Sequence, residues 1–216
     1  MRTLALVLLP ILLAAQTTIS PDRETALIRA VSDDYRRRVT IVENDAAREY
    51  LNALAASFRP LLPETVPALT VALTRPTIHQ PSRAPAGLPD GHVTVPIPAI
   101  TAAAEEAEFA RHFAHAIAHI SLRHGFRAVD RTAQSPTGIP LIFFGGWLCS
   151  DERRLLPIAW RTGKQQEEAE AEADAYAGRL MEAFRPNPAF AALRAELRAL
   201  TAPAQRPTLR RASEAR

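Results

Sequence analysis

The stretch AEEAEFARHFAHAIAHISLRHG, residues 104–125, constrains the fold of this chain more than any other part of it. Phe109, Phe113, Ile117 and Ile120 recur at helical spacing, so they form one apolar stripe that a folded chain must bury. The periodicity predicts a helix from about residue 102 to residue 124, with Gly125 as its C-cap. Beside the stripe stand His115 and His119. Residues four apart on a helix lie about 40° apart around the axis, so the two imidazoles can converge on one ion. By itself the spacing is weak, because a surface helix acquires such pairs by chance.

A companion lies in EAEADAYAGRL, where Glu170 and Asp174 are again four apart on a helix expected over about 165–184. Two histidines and one glutamate, with water in the fourth position, form a standard catalytic zinc set. A carboxylate four residues on can orient a ligand histidine through that ring's second nitrogen. The competing reading of EEAEAEADA is a solvated, helix-favouring acidic face.

The rest of the chain supplies a body for these helices. Ser20, Pro21, Asp22 and Glu24 form a helix start, followed at helical spacing by Ile28, Val31, Tyr35 and Val39. A second helix opens near Asn44, carries Ala47, Leu51, Leu54 and Phe58 on one face, and is stopped by Pro60 and Pro63. Between residues 68 and 98, ALTVALTR and GHVTVPIP read as two or three strands of a small sheet, separated by a segment dense in proline. Pro96 and Pro98 favour an edge position for HVTVP, and an exposed edge can hold an extended peptide by strand addition. His79 and His92 read as turn or surface histidines. The apolar run IPLIFFGGWLC is too short to cross a membrane and reads as a buried segment or a lid. AFAALRAELRAL is a last amphipathic helix.

The fold expected is therefore α+β, a mainly helical domain over 21–200 with a small sheet beside the histidine helix, and a basic tail over 201–216. With Cys149 the single cysteine, no intrachain disulfide can form, so a buried core must supply the stability. The opening MRTLALVLLPILLAAQ, one positive charge followed by a short apolar run, predicts a secretory signal peptide over about residues 1–17. A secreted or periplasmic location follows, and an uncleaved N-terminal anchor would keep the protein near a membrane. The net charge of only +3 and the lack of a basic stripe with interleaved aromatics argue against nucleic acid as a partner.

Together these pieces resemble the gluzincin-like zinc metallopeptidase family that includes the CAAX prenyl proteases, HtpX and the periplasmic BepA-like enzymes. AEEAEFARHFAHAIAHISLRHG is similar to that family's H-E-x-x-H helix, and EAEAD is similar to its E-x-x-A-D. GLPDGHVTVP looks like the turn and edge strand that precede the metal helix, and IPLIFFGGW resembles a segment between the two motifs. The resemblance implies one Zn2+ per chain held by His115, His119 and Glu170, with Asp174 the partner of a ligand histidine. It also places Ala116 where the family has its catalytic glutamate, and a methyl group can neither take nor return a proton. His112, one turn earlier, is a surrogate base only if its side chain reaches back toward the metal, against the N-terminal lean of helical side chains. Glu105, Glu106 and Glu108 lie two or more turns away, and His124 reads as a cation at the helix C-terminus.

The expected function is an exported zinc metallopeptidase-like pseudoenzyme that takes extended or unfolded polypeptides into its cleft. Ala116 fits equally as a natural replacement or as an introduced inactivating change. The alternatives are a metal-free structural or peptide-binding scaffold on the same fold, and an active enzyme with another base.

Overall fold

The structure, a computed structural model, describes residues 28–29, 32–33, 36–37, 39–75, 84–124, 142–144, 147–149, 155–157 and 163–201. It is α+β and mainly helical, with a small mixed sheet. That sheet has four strands, β1 (Thr40–Ile41), β2 (Thr70–Arg75), β3 (Ala86–Gly87) and β4 (His92–Pro96), in the order β1-β2-β4-β3. The helices that cover it are α1 (Asp45–Phe58), α2 (Ile97–Thr101), α3 (Glu106–Ser121), α4 (Gly163–Leu180) and α5 (Ala189–Thr201).

Helix α1 starts where its sequence asks: the Asn44 side chain accepts from the Ala47 backbone N–H at 2.7 Å. Ala47, Leu51, Leu54 and Phe58 are all buried. The helix tightens into a 3-10 turn at Arg59–Leu61, where Pro60 ends the α geometry. Val39 lies in a bend that leads into β1, so the helical stripe read through residue 39 ends earlier and β1 was missed. A two-residue strand carries no usable period.

The edge position expected for HVTVP is corrected by the pairing. β4 is an interior strand, parallel to β2 (Thr70↔His92 to Thr74↔Pro96) and antiparallel to β3 (Ala86↔Thr94, Gly87↔Val93). Its proline is tolerated because it is the last residue of the strand, and its extended backbone caps α2. The edges are β1 and β3, and among the described residues β3 has no partner on its outer side.

The core lies between the sheet and the helices. Phe109, Phe113 and Ile117 have no exposed surface and Ile120 is buried, as the stripe requires. Phe109 packs on Phe190 of α5 and on Tyr50 of α1, with ring centroids 5.9 and 6.2 Å apart. Helix α3 begins at Glu106 rather than near residue 102, because residues 97–101 form the separate helix α2. Glu108 Oε2 then takes the Ala104 N–H at 2.7 Å. Glu106 accepts from the Tyr50 hydroxyl at 2.9 Å and from the Asn187 N–H at 2.8 Å, so one carboxylate ties α1, α3 and the approach to α5 together. Burial, reinforced by Glu106, pushes the Tyr50 phenol far above its ordinary pKa.

A second sheet is a meander of β5 (Ile142–Phe144), β6 (Trp147–Cys149) and β7 (Leu155–Pro157), so part of the apolar run expected as a buried segment or lid is strand. The leader (1–17), the helix start at Ser20, Pro21, Asp22 and Glu24, Val31, Tyr35, His79, Gly125 and the tail residues 202–216 lie outside the described residues. No described helix is long and apolar enough to cross a membrane.

Candidate metal centre

Among the described residues helices α3 and α4 form the most extensive helix pair, and each contributes an i, i+4 pair to their junction. His115 and His119 come from α3, Glu170 and Asp174 from α4. His115 Nε2 lies 2.9 Å from His119 Nε2 and 3.1 Å from Glu170 Oε2, and His119 Nε2 is 3.6 Å from the same carboxylate oxygen. The three residues offer ligand atoms all within 4.8 Å of one another and can hold a metal ion. Residues 55 apart in the chain thus meet at one point. The acidic stretch of α4 is more than a solvated face.

The other nitrogen of His115 is committed to Asp174, with Nδ1 2.9 Å from Oδ1. With Nδ1–H donated to Asp174, a neutral His115 presents its Nε2 lone pair to an ion at the junction, whereas a protonated ring donates Nε2–H to Glu170. The hydrogen bond with Glu170 raises the His115 imidazole above its ordinary pKa; burial opposes this and Asp174 adds to it. In return His115, and then His119, hold the Glu170 carboxyl well below the usual carboxylate range. All three residues are half-buried, so the site stays open to solvent on one side.

Ala116 lies between the two histidines in sequence and is only 2% exposed. Its surroundings bring strand β3 into the site. A Cβ on Gly87 would sit 2.3 Å from the Ala116 carbonyl oxygen, so the sheet edge runs directly against the histidine helix. His112 is exposed on α3, away from the buried face. Glu106 and Glu108 are engaged at the start of α3, and Glu105 is exposed there. His92 pairs instead with Asp90 Oδ2 at 3.0 Å and with the Arg36 guanidinium, also at 3.0 Å.

One residue of the centre was misread. His124, expected as a helix-end cation, is buried at 5% exposure. Its Nδ1 is 3.0 Å from His119 Nδ1, and its Nε2 is 3.2 Å from Glu172 Oε2. The cause is the end of α3. Leu122 caps the helix and Arg123 takes a left-handed φ of 55°, which turns the chain two residues before the glycine expected to do so. His124 therefore comes back beside His119 instead of continuing the helix.

No protein-family model matches this chain, and no curated protein matches it. The geometry of the centre and its chemistry carry the functional argument.

Proposed function

We propose that this chain is an exported zinc metallopeptidase-like protein that holds one zinc ion between α3 and α4 and carries Ala116 where a general base would stand. The observation that carries the reading is the triangle of His115 Nε2, His119 Nε2 and Glu170 Oε2, with edges of 2.9, 3.1 and 3.6 Å. Zinc bonds to nitrogen of about 2.0–2.1 Å in tetrahedral geometry put neighbouring ligand atoms about 3.3 Å apart, so these edges bracket the spacing the ion needs. Two imidazoles and a carboxylate with a solvent-facing side are the donor set of a catalytic rather than a structural zinc site. Asp174 behind His115 supplies the outer hydrogen bond that such ligands use.

Zinc bound there would polarise a peptide carbonyl and acidify its own water. Among the described residues none stands ready to move the proton. Ala116 offers none, Glu106 and Glu108 are held at the far end of α3, and His112 leans toward the helix N-terminus. Loss of general acid–base catalysis is worth about 10²–10⁴ in rate, so the protein as it stands is inactive or very slow. Its retained use is capture of extended polypeptide. The outer side of β3, unpaired among the described residues and packed on α3 beside Ala116, offers backbone groups for strand addition next to the metal. Export rests on the leader-like first residues.

Metal analysis of the purified protein tests this first. One zinc per chain is expected, lost in His115→Ala and in Glu170→Ala; zinc that stays in both variants, or never binds, ends the reading. A second reading, a metal-free scaffold, is favoured by one observation: His115, Glu170 and Asp174 already satisfy one another by direct hydrogen bonds. It predicts no zinc in the wild type and a fold indifferent to chelator.

A further inference from the structure

We propose that His124 is a positioning residue of the metal centre, accepting the Nδ1 proton of His119 and so holding that ring with its Nε2 lone pair toward the ion. Glu172 fixes His124 in the tautomer that does this. The inference rests on the metal reading of the site and assigns a role to two residues outside the ligand set.

A neutral imidazole carries one proton, and a ring that ligates through Nε2 carries it on Nδ1. For His119 that proton needs an acceptor, and the atom 3.0 Å from His119 Nδ1 is His124 Nδ1. His124 can accept there only if its own proton sits on Nε2. That nitrogen lies 3.2 Å from Glu172 Oε2, and an ionised carboxylate can only accept. Reading inward from Glu172 with both rings neutral, the contacts are met by Nε2–H on His124, a lone pair on His124 Nδ1, Nδ1–H on His119, and a lone pair on His119 Nε2.

The opposite assignment closes the site. If His119 accepted at Nδ1, its proton would sit on Nε2 and point into the triangle, where His115 Nε2 is 2.9 Å away. Such a ring cannot ligate. The Glu172–His124 pair thus favours the metal-ready tautomer, against the pull of Glu170 Oε2 3.6 Å from His119 Nε2. Burial gives the selection its force, because His124 is only 5% exposed and bulk water does not compete freely for its ring. His115 reaches the same state by the shorter route of a direct carboxylate, Asp174. Each histidine ligand is therefore backed by an acid from α4, one directly and one through an intervening imidazole.

The test is zinc affinity, measured by competition with a chromogenic chelator, in wild type, His124→Leu, His124→Asn and Glu172→Gln. Asparagine can place an oxygen acceptor near the position of the lost Nδ1, and leucine fills the space with no acceptor. Removing an outer-sphere partner typically weakens metal binding about 10–100-fold, so His124→Leu is expected to raise the zinc Kd by that factor and His124→Asn to recover most of the loss. Thermal melts of the metal-free proteins accompany this, and a merely structural role would make the two variants equally weak. A His124→Leu Kd close to that of wild type overturns the proposal, as does a His124→Asn protein as weak as His124→Leu. If His124→Leu does not fold, Glu172→Gln decides: its amide can donate to His124 and free the wrong tautomer, so weaker binding is expected and an unchanged Kd is fatal. Wild-type protein that binds no zinc removes the metal reading and this inference together, whereas zinc bound with equal affinity by all four proteins sinks this inference alone.

Discussion

Gly87→Ala probes the contact that joins the sheet edge to the histidine helix. Gly87 does not need a left-handed φ, so the cost of the substitution is steric rather than torsional. The new methyl would lie 2.3 Å from the Ala116 carbonyl oxygen, 2.8 Å from Ile120 Cγ1 and 3.0 Å from Ile120 Cδ1. A relaxed carbon–oxygen contact is about 3.3 Å or more, so the strand and the helix must separate by about 1 Å. Ile120 can rotate, but the Ala116 carbonyl belongs to the backbone of α3 and cannot. Strand β3 is the weaker element, a two-residue edge strand paired with β4 at Ala86↔Thr94 and Gly87↔Val93 and tied to it by the Leu88 N–H on the His92 carbonyl, so it moves. Forcing a methyl into packed surroundings costs about 1–3 kcal/mol. For a chain of this length each kcal/mol lowers Tm by about 2–4 °C, so about 2 kcal/mol gives a drop of about 4–8 °C. Circular dichroism melts of metal-free wild type and variant measure it. Zinc affinity should stay near wild type, because the ligands ride on α3 and α4. An unchanged Tm would refute the packing of β3 on α3; a lost zinc site with normal Tm would show that the helix, not the strand, gives way.

Asp174→Ala leaves His115 Nδ1 without its partner and should raise the zinc Kd about 10–100-fold, read by chelator competition; an unaltered Kd would detach Asp174 from the site. Ala116→Glu should create chelator-sensitive casein cleavage absent from the parent, a gain of about 10²–10⁴ set by the missing base, and its absence would argue that the cleft no longer accepts a productive substrate. In the metal-free protein the His115–Glu170 contact is pH-dependent from both sides. Glu170 is lowered, so its contribution is complete above the ordinary 4.5 and lost as pH falls through its folded value; His115 is raised, so its contribution is complete below the ordinary 6.5 and lost as pH rises through its folded value. The metal-free Tm should therefore gain most from this contact between those two values, and Glu170→Gln should remove that gain; equal pH profiles for the two proteins would refute the coupling. Asn44→Ala deletes the cap on α1 and should cost about 1 kcal/mol by denaturant titration.

The main helices were legible because each long amphipathic segment repeats its period many times: the stripes through Leu51 and Phe113 are buried as read. Each i, i+4 pair was legible for the same reason, but that His115, His119 and Glu170 come together was implied only by the resemblance, since no spacing within one helix tells which other helix it meets. Nor was strand pairing legible. Nothing local in HVTVP reveals that its neighbours are β2 and β3, so a terminal proline was taken for an edge signal. His124 was missed because the left-handed turn falls on Arg123, a residue type with no preference for it, and not on the glycine two places later. Glu172 gave no hint because position 172 sits about 200° around an ideal helix from Glu170, and its meeting with His124 depends on where the chain goes after α3. The links from Glu106 to Tyr50 and Asn187 span distant parts of the chain, which no short window contains.

Because His115 and Glu170 stand 55 positions apart, an ion at the junction of α3 and α4 would also act as a staple across the segment that carries β5, β6 and β7. Tying the two ends removes freedom from the unfolded chain as well as adding bonds to the folded one. A protease nick anywhere between residues 125 and 162 would then yield two fragments that copurify while the ion is bound and part more readily when a chelator takes it away.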